Sequence, residues 1–373
     1  MRIAIDGRYV HDHFPGISRY TFNLIRHLAA VSDDQFIVFY NPAIHNSHYD
    51  ITERTQFPNV QLVTCDVPAF SLAEQWRLPR LALRQRADLL HSPYYIKPYA
   101  PPLPSVTTIH DAISALYPEY LPSLRARWIF GVTMRLALAS SRRVITPSLR
   151  SRADLVRLYG TSPNKIVVTY EAPDPSYHPL ERTQCAPLRD RCALPPRFAL
   201  YVGINKPHKN LVRLVEAVAL ARRQSDVRLV IAGAHDPRWP QAEQAVVRMN
   251  LEDAVTFLPN VPEADLPLLY NLADCFVFPS LYEGFGLPPL EAMACGLPVI
   301  CSNSSSLPEV VADAALLLDP LDVPAWAAAL AELWDSPAKR ENLAKRSQLR
   351  AAQFSWAETA RQTLHAYREA LRS

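Results

Sequence analysis

Residues 278–299 read Phe278-Pro-Ser-Leu-Tyr-Glu283-Gly284-Phe285-Gly286-Leu287-Pro-Pro-Leu-Glu291-Ala-Met-Ala-Cys-Gly-Leu-Pro-Val299. An apolar strand ends at Phe278, a glycine loop follows, and the periodicity predicts a helix from about Pro288-Pro289. A strand that passes through a glycine loop into a helix is the βα unit of an open parallel sheet, and it sets the helix N-terminus at the sheet's ligand-bearing edge. Free N–H groups and the helix macrodipole favour a diphosphate there, and the missing Cβ at Gly284 and Gly286 lets a ligand approach the backbone. Glu283 precedes the helix and Glu291 falls in its first turn, so the two carboxylates can reach different hydroxyl groups of one extended ligand. Taken singly, Glu291 is equally a first-turn acid favoured by the dipole and Glu283 a solvated loop residue. The arrangement as a whole carries the chemistry.

Outward from this stretch the same alternation recurs. Apolar runs at Phe198 to Gly203, Val227 to Gly233, Val255 to Leu258, Cys275 to Phe278, Pro298 to Cys301 and Ala315 to Leu318 are separated by helical patterns. An earlier set lies at Arg2 to Gly7, Phe36 to Tyr40, Val60 to Cys65, Val106 to Ile109, Arg143 to Thr146 and Ile166 to Tyr170. Strands alternating with helices predict parallel sheets, and two sets predict two Rossmann-like domains whose ligand edges face across a cleft. A length of 373 residues agrees with two cores. The proline-rich passage after Tyr170 reads as the linker. The expected division is 1–178 for an N-terminal Rossmann-like domain, 179–196 for the linker, 197–355 for a C-terminal Rossmann-like domain, and 356–373 for a last helix that crosses back to the first domain.

Composition narrows the function. Hydrophobic content of 49% and charged content of 20% exclude a disordered or fibrous chain, and a net charge of +3 without a dense basic block excludes nucleic acid as a partner. No apolar run of about 18 residues occurs and the chain enters directly on a strand, so a cytoplasmic protein without a signal peptide is expected. The six cysteines form no C-x-x-C pair, which predicts neither disulfides nor zinc. Only nine glycines are present, and seven fall at strand ends or in strand-to-helix loops, where the backbone itself needs them.

Two further loops carry candidate residues. Tyr201-Val-Gly203-Ile-Asn-Lys206-Pro-His-Lys209-Asn-Leu runs from a strand into a helix, and with six lysines against 33 arginines in the chain, a lysine pair within four positions suggests a cation facing phosphate. In the first domain, Phe14-Pro-Gly16-Ile-Ser-Arg-Tyr-Thr offers a second backbone approach, and Thr107-Thr-Ile-His110-Asp111 sets a histidine and an aspartate at another strand end.

Along nearly its whole length the chain resembles glycosyltransferase family 4, the glycosyl transferases group 1 with the two-domain GT-B fold. Glu283 and Glu291 match its Glu-x7-Glu signature, Lys209-Asn210 its phosphate-binding pair, Gly16 its first-domain glycine loop and His110-Asp111 its His-Asp; Ser306-Leu-Pro-Glu-Val and Phe354-Ser-Trp also resemble family positions. The resemblance implies that Glu291 binds the donor ribose, Glu283 the transferred sugar, Lys209 the diphosphate and His110 the sugar or its reacting face. Gly203, Lys206, Gly284, Phe285, Gly286 and Leu287 complete the donor-binding set, with backbone amides of Gly286 and Leu287 turned to the donor. His110, Glu283 and Lys209 form the catalytic set. Ile204 departs from the Arg or Thr of many relatives, and Lys206 is the candidate replacement.

The implied reaction is retaining transfer of a hexose from a nucleotide sugar donor to a glycan or lipid-linked glycan acceptor, with no cofactor and no metal. No Asp-x-Asp motif of the metal-dependent enzymes occurs. The motif set is similar to bacterial polysaccharide and O-antigen mannosyltransferases, which makes GDP-mannose the first choice of donor, with UDP- and dTDP-sugars as alternatives. Arg77, Arg80 and Arg84 beside Trp76, and Arg125, Arg127 and Arg135, read either as solvated helix faces or as a peripheral contact with anionic lipid at the inner membrane face. A nucleotide sugar epimerase or hydrolase and a silent nucleotide-sugar-binding protein are the alternative functions. A dinucleotide oxidoreductase is disfavoured because neither domain has G-x-G-x-x-G after its first strand.

Overall fold

The computed structural model describes residues 1–12, 14–44, 46, 48–52 and 57–372. The chain forms two compact units, Met1–Glu171 with Ser355–Ser373, and Ala172–Phe354.

The first unit is built on seven strands: β1 (Arg2–Asp6), β2 (Gln35–Tyr40), β3 (Val60–Thr64), β4 (Leu89–Ser92), β5 (Ser105–Thr108), β6 (Arg143–Thr146) and β7 (Ile166–Val168). All pair in parallel, in the order β3-β2-β1-β4-β5-β6-β7. Ile3, Ala4, Ile5, Phe36, Val38 and Phe39 are fully buried or nearly so, as a sheet covered on both faces requires. The sequence reading lacks β4. Its Leu89-Leu90-His91-Ser92 has two apolar residues and follows an arginine-rich helix, so no period reveals it, yet all four residues are buried. His91 tolerates burial because Nδ1 lies 2.7 Å from Tyr367 Oη and Nε2 lies 2.9 Å from Thr108 Oγ1. Burial pushes its pKa down to about 3, with His110 and Lys97 adding smaller pushes, so the ring is neutral and can both donate and accept.

Tyr367 belongs to the last helix, Trp356–Arg372, which packs on helix Pro15–Val31 and so joins the first unit. Thr359 Oγ1 adds a bond to Tyr170 O at 2.5 Å.

The second unit has β8 (Ala199–Val202), β9 (Leu229–Ala232), β10 (Val255–Leu258), β11 (Cys275–Phe278), β12 (Val299–Ser302) and β13 (Leu316–Leu318), all parallel in the order β10-β9-β8-β11-β12-β13. Its boundary differs from the expected one. The chain enters this unit at Ala172, before the passage 179–196 read as linker, and that passage contains helix Arg182–Arg191. A capping box between Glu181 and Gln184 starts the helix, and Cys185 and Leu188 are buried on the side that meets helix Leu266–Leu272. Tertiary packing thus outweighs Pro187 within the helix.

All six cysteines are free, five buried and Cys192 half-buried. Among the described residues no helix is long and apolar enough to cross a membrane, and no group of three or more His, Cys, Asp or Glu could hold a metal.

Candidate active site

In the second sheet β8 and β11 are neighbours although β9 and β10 separate them in sequence. The chain departs in opposite directions after them, so this is the topological switch point, where open α/β sheets leave a crevice for ligand. The loop after β8 carries Gly203 to Lys209 and the loop after β11 carries Glu283 to Gly286. They are tied together by Leu281 N donating to His208 O at 2.7 Å and by Asn210 Nδ2 donating to Pro279 O at 3.2 Å. Asn210 adopts the left-handed conformation (φ +60°) that an asparagine tolerates, and a second bond, to Pro320 O at 2.7 Å, fixes it.

Lys209 and Glu283, 74 positions apart, meet at this point. Lys209 Nζ donates to Glu283 Oε1 at 2.6 Å, with side chains only 14% and 13% exposed. The ammonium also lies 5.4 Å from the centre of the Phe278 ring. His208 is buried between the two lysines. Burial first, then Lys209 and Lys206, push its pKa down to about 2, so it adds no charge to the loop. Lys206 is half-buried; its carbonyl accepts from Lys209 N at 2.9 Å, and among the described residues its side chain makes no hydrogen bond or ion pair, leaving its ammonium available.

Two hydroxyls hold the Glu283 loop: Ser305, which the sequence reading did not name, and Ser306, which it named only as a family-like position without a role. Ser305 Oγ donates to Glu283 O at 2.5 Å and accepts from Glu283 N at 3.0 Å, while Ser306 Oγ reaches Glu283 O at 3.0 Å and Phe285 O at 2.6 Å. The polar run Ser302-Asn-Ser-Ser-Ser306 after a strand was the available signal. Phe285 packs its ring edge-on to Phe354 and so supports the loop from beneath, while Gly284 is half-buried beside it.

Helix Leu287–Ala294 begins on Gly286, whose φ of +114° is open only to glycine and where a Cβ would stand 2.7 Å from Leu307 Cδ2. Pro288 and Pro289 carry no N–H, so the amide donors of this terminus are concentrated at Gly286 and Leu287. Glu291 is the helix's fifth residue and therefore lies in its second turn, not the first as expected. It is 2% exposed and accepts from Tyr270 Oη at 3.0 Å, a contact that sequence spacing could not show.

Gly16 and His110 belong to the first unit. Gly16 is the second residue of helix Pro15–Val31 with open space where a Cβ would project. His110 follows β5; its Nε2 donates to Pro93 O at 3.1 Å, and Nδ1 lies 3.4 Å from Oε1 of the buried Glu171. Tyr20 meets its ring edge-on at 4.8 Å between centres. Both ring nitrogens are thus engaged, and Glu171 is a positioning partner 61 positions away that no local pattern announces.

Comparison with known proteins places this geometry. The family model "Glycosyltransferase Family 4" matches residues 15–177 and "Glycosyl transferases group 1" matches residues 192–350. O-antigen chain mannosyltransferase B of Escherichia coli is 35% identical over 375 residues, 95% of this chain and 96% of that protein. MMP alpha-(1->4)-mannosyltransferase of Mycolicibacterium hassiacum is 30% identical over 281 residues, covering 72% of this chain and 66% of that one. The crystal structure of Anabaena Alr3699/HepE in complex with UDP-glucose superposes with a TM-score of 0.78 at 19% identity, over 99% of each chain. Two parallel Rossmann-like sheets with this strand order are the GT-B architecture. With both domain models matched and a full-length relative above 30% identity, the chain belongs to the family 4, group 1 glycosyltransferases and is a glycosyltransferase.

Proposed function

We propose that the enzyme is a retaining mannosyltransferase that moves mannose from a nucleotide diphosphate donor, GDP-mannose first, to a hydroxyl of a glycan or lipid-linked glycan, without a metal ion. The observation that carries the reading is the Lys209–Glu283 pair at the switch point, 2.6 Å long, beside a helix that starts on Gly286. The names of the two mannosyltransferase relatives support the sugar.

Breaking the bond from the anomeric carbon to the diphosphate leaves negative charge on phosphate oxygen and oxocarbenium character on the sugar. Lys209, the free ammonium of Lys206 and the amides of Gly286 and Leu287 answer the first; Glu283 holds sugar hydroxyls and lies near the second. Lys209, held by Glu283, and the amides at the helix start on Gly286 are in place before the reaction, so they stabilise the transition state with little reorganisation. The acceptor oxygen attacks the face from which the diphosphate leaves, and its proton passes to the departing phosphate oxygen. Glu291 holds the ribose and Gly203 borders the donor loop, while the family resemblance gives Gly16 and His110 of the first unit their roles toward the donor, Glu171 orienting His110 within that unit. A Glu283 nucleophile is the less favoured route. The test is transfer from GDP-mannose to mannose-terminated lipid-linked oligosaccharides in EDTA, with the new linkage read by one-bond carbon–proton coupling. An α-mannoside is expected; a β-mannoside, or hydrolysis alone, overturns the reading.

The enzyme works in the cytoplasm in peripheral contact with the inner membrane face. Helix Leu124–Ser140 supports this, with Leu124 78%, Trp128 69% and Leu136 43% exposed, interspersed with exposed Arg125, Arg127 and Arg135 and no acidic residue. Arg77 contributes less, being paired with Asp66 at 2.9 Å.

A further inference from the structure

The Lys209–Glu283 pair is only half satisfied. Glu283 gives Oε1 to Lys209 Nζ at 2.6 Å, while its Oε2 makes no hydrogen bond among the described residues and is not sealed from solvent. Lys209 has three N–H bonds to give, and among the described residues Glu283 is its one hydrogen-bond acceptor, with the centre of the Phe278 ring 5.4 Å away. The pair therefore offers a ligand two things side by side: charged N–H donors, and a carboxylate oxygen that accepts. The same loop holds a second cation, Lys206, while His208 stays neutral, its pKa pushed down to about 2 by burial and by the two lysines. Two positive charges thus face one negative charge.

This arrangement treats the two halves of a sugar diphosphate in opposite ways. Two acceptors on one ammonium, set at the tetrahedral angle, lie about 4.5 Å apart. A phosphate oxygen that takes a second N–H of Lys209 stands that close to Glu283 Oε1, and the like charges repel. With side chains 14% and 13% exposed, solvent screens the repulsion only in part. The diphosphate must also share Lys209 with a carboxylate that already holds it. A sugar hydroxyl, in contrast, donates to Glu283 Oε2 in a charge-assisted bond.

We propose that Glu283 discriminates donor from product. It opposes a bare nucleoside diphosphate at Lys209 and offsets that opposition only when the attached sugar is present, so transfer of the sugar itself loosens the departing nucleotide. The inference rests on the donor-site reading above and adds product release to it. A Glu283 that served only to hold Lys209 toward the phosphate would give the opposite sign when its carboxylate is removed.

Calorimetric titration in EDTA with GDP and GDP-mannose, and with UDP and UDP-glucose, tests it on the wild type, Glu283→Gln, Glu283→Ala and Lys209→Ala. Ser305 and Ser306 anchor the loop through the backbone of Glu283, so both Glu283 variants keep those bonds, and a melting curve on each reports intact folding. Both are expected to bind the nucleoside diphosphate about tenfold more tightly than the wild type, and its sugar derivative no more tightly. Lys209→Ala should weaken both ligands. A folded Glu283 variant that binds the diphosphate no more tightly than the wild type overturns the inference, while the donor site stands if Lys209→Ala still loses affinity. Preference of the wild type for the uracil ligands overturns only the choice of GDP-mannose, and the same comparison is then read on UDP and UDP-glucose. A wild type that binds none of the four overturns both readings.

Discussion

Lys97 is 1% exposed and among the described residues its ammonium has only hydroxyl partners, Ser105 Oγ at 2.9 Å and Ser141 Oγ at 2.7 Å. Burial, with a smaller push from Lys165, brings its pKa down to about 7. In the unfolded chain a lysine titrates near about 10.4. Between these values the unfolded chain binds a proton that the folded chain does not, so this residue makes stability rise with pH across that window, by up to about 1.4 kcal/mol per pH unit. Below pH 7 both states are protonated and the penalty of the buried charge is constant. Lys97→Met should therefore be more stable than the wild type at pH 7, with the difference shrinking toward pH 10; urea unfolding at pH 7, 8.5 and 10 checks this. A difference that does not change with pH contradicts it. Gly286→Ala forces φ +114° on a residue with a Cβ 2.7 Å from Leu307, and should cost about 1–3 kcal/mol by urea unfolding together with donor affinity. At this scale the sequence reveals residues whose type suits a strand end: Lys209, Glu283, Glu291 and the glycines. It hides their partners. Ser305, Ser306, Tyr270 and Glu171 act through contacts 21 to 61 positions away, and only the fold brings them near.

Most strands are legible because a parallel sheet buried on both faces needs unbroken apolar runs, as in Phe276-Val-Phe278. β4 is not legible, because its burial depends on His91 finding Tyr367 and Thr108, the former 276 positions away. Helix Arg182–Arg191 escapes for the opposite reason: proline content argues against a helix that packing against Leu266–Leu272 sustains. The last helix buries Trp356, Ala360, Leu364 and Tyr367 on the first unit, so that unit is made from both ends of the chain. Tyr367→Phe removes the bond to His91 and should cost about 1–2 kcal/mol in thermal or urea unfolding. An unchanged midpoint would show that His91 repairs its bonding without the tyrosine.

The whole molecule carries a net charge of only +3, yet 33 of its 39 cations are arginine, and those on helix Leu124–Ser140 stand among exposed apolar side chains. Sedimentation with vesicles should show binding to phosphatidylglycerol and not to phosphatidylcholine, weakened by Trp128→Ser and by added salt. Equal binding to both lipids, or none, contradicts membrane contact by this face. The family, the two sheets and the donor loops are legible before any coordinates, because chemistry at a switch point constrains local sequence. The acceptor is not, because no comparable constraint marks the surface that binds it.

The central claim is that Lys209 takes the role of a metal at the leaving diphosphate. Mannose transfer from GDP-mannose in EDTA, measured as kcat for the wild type and for Lys209→Ala, tests it most directly. The account predicts a wild-type rate unaffected by EDTA and a loss of about 10²–10³ in the variant's kcat. A wild type silenced by EDTA and restored by a divalent cation, or a variant with full kcat, would contradict it.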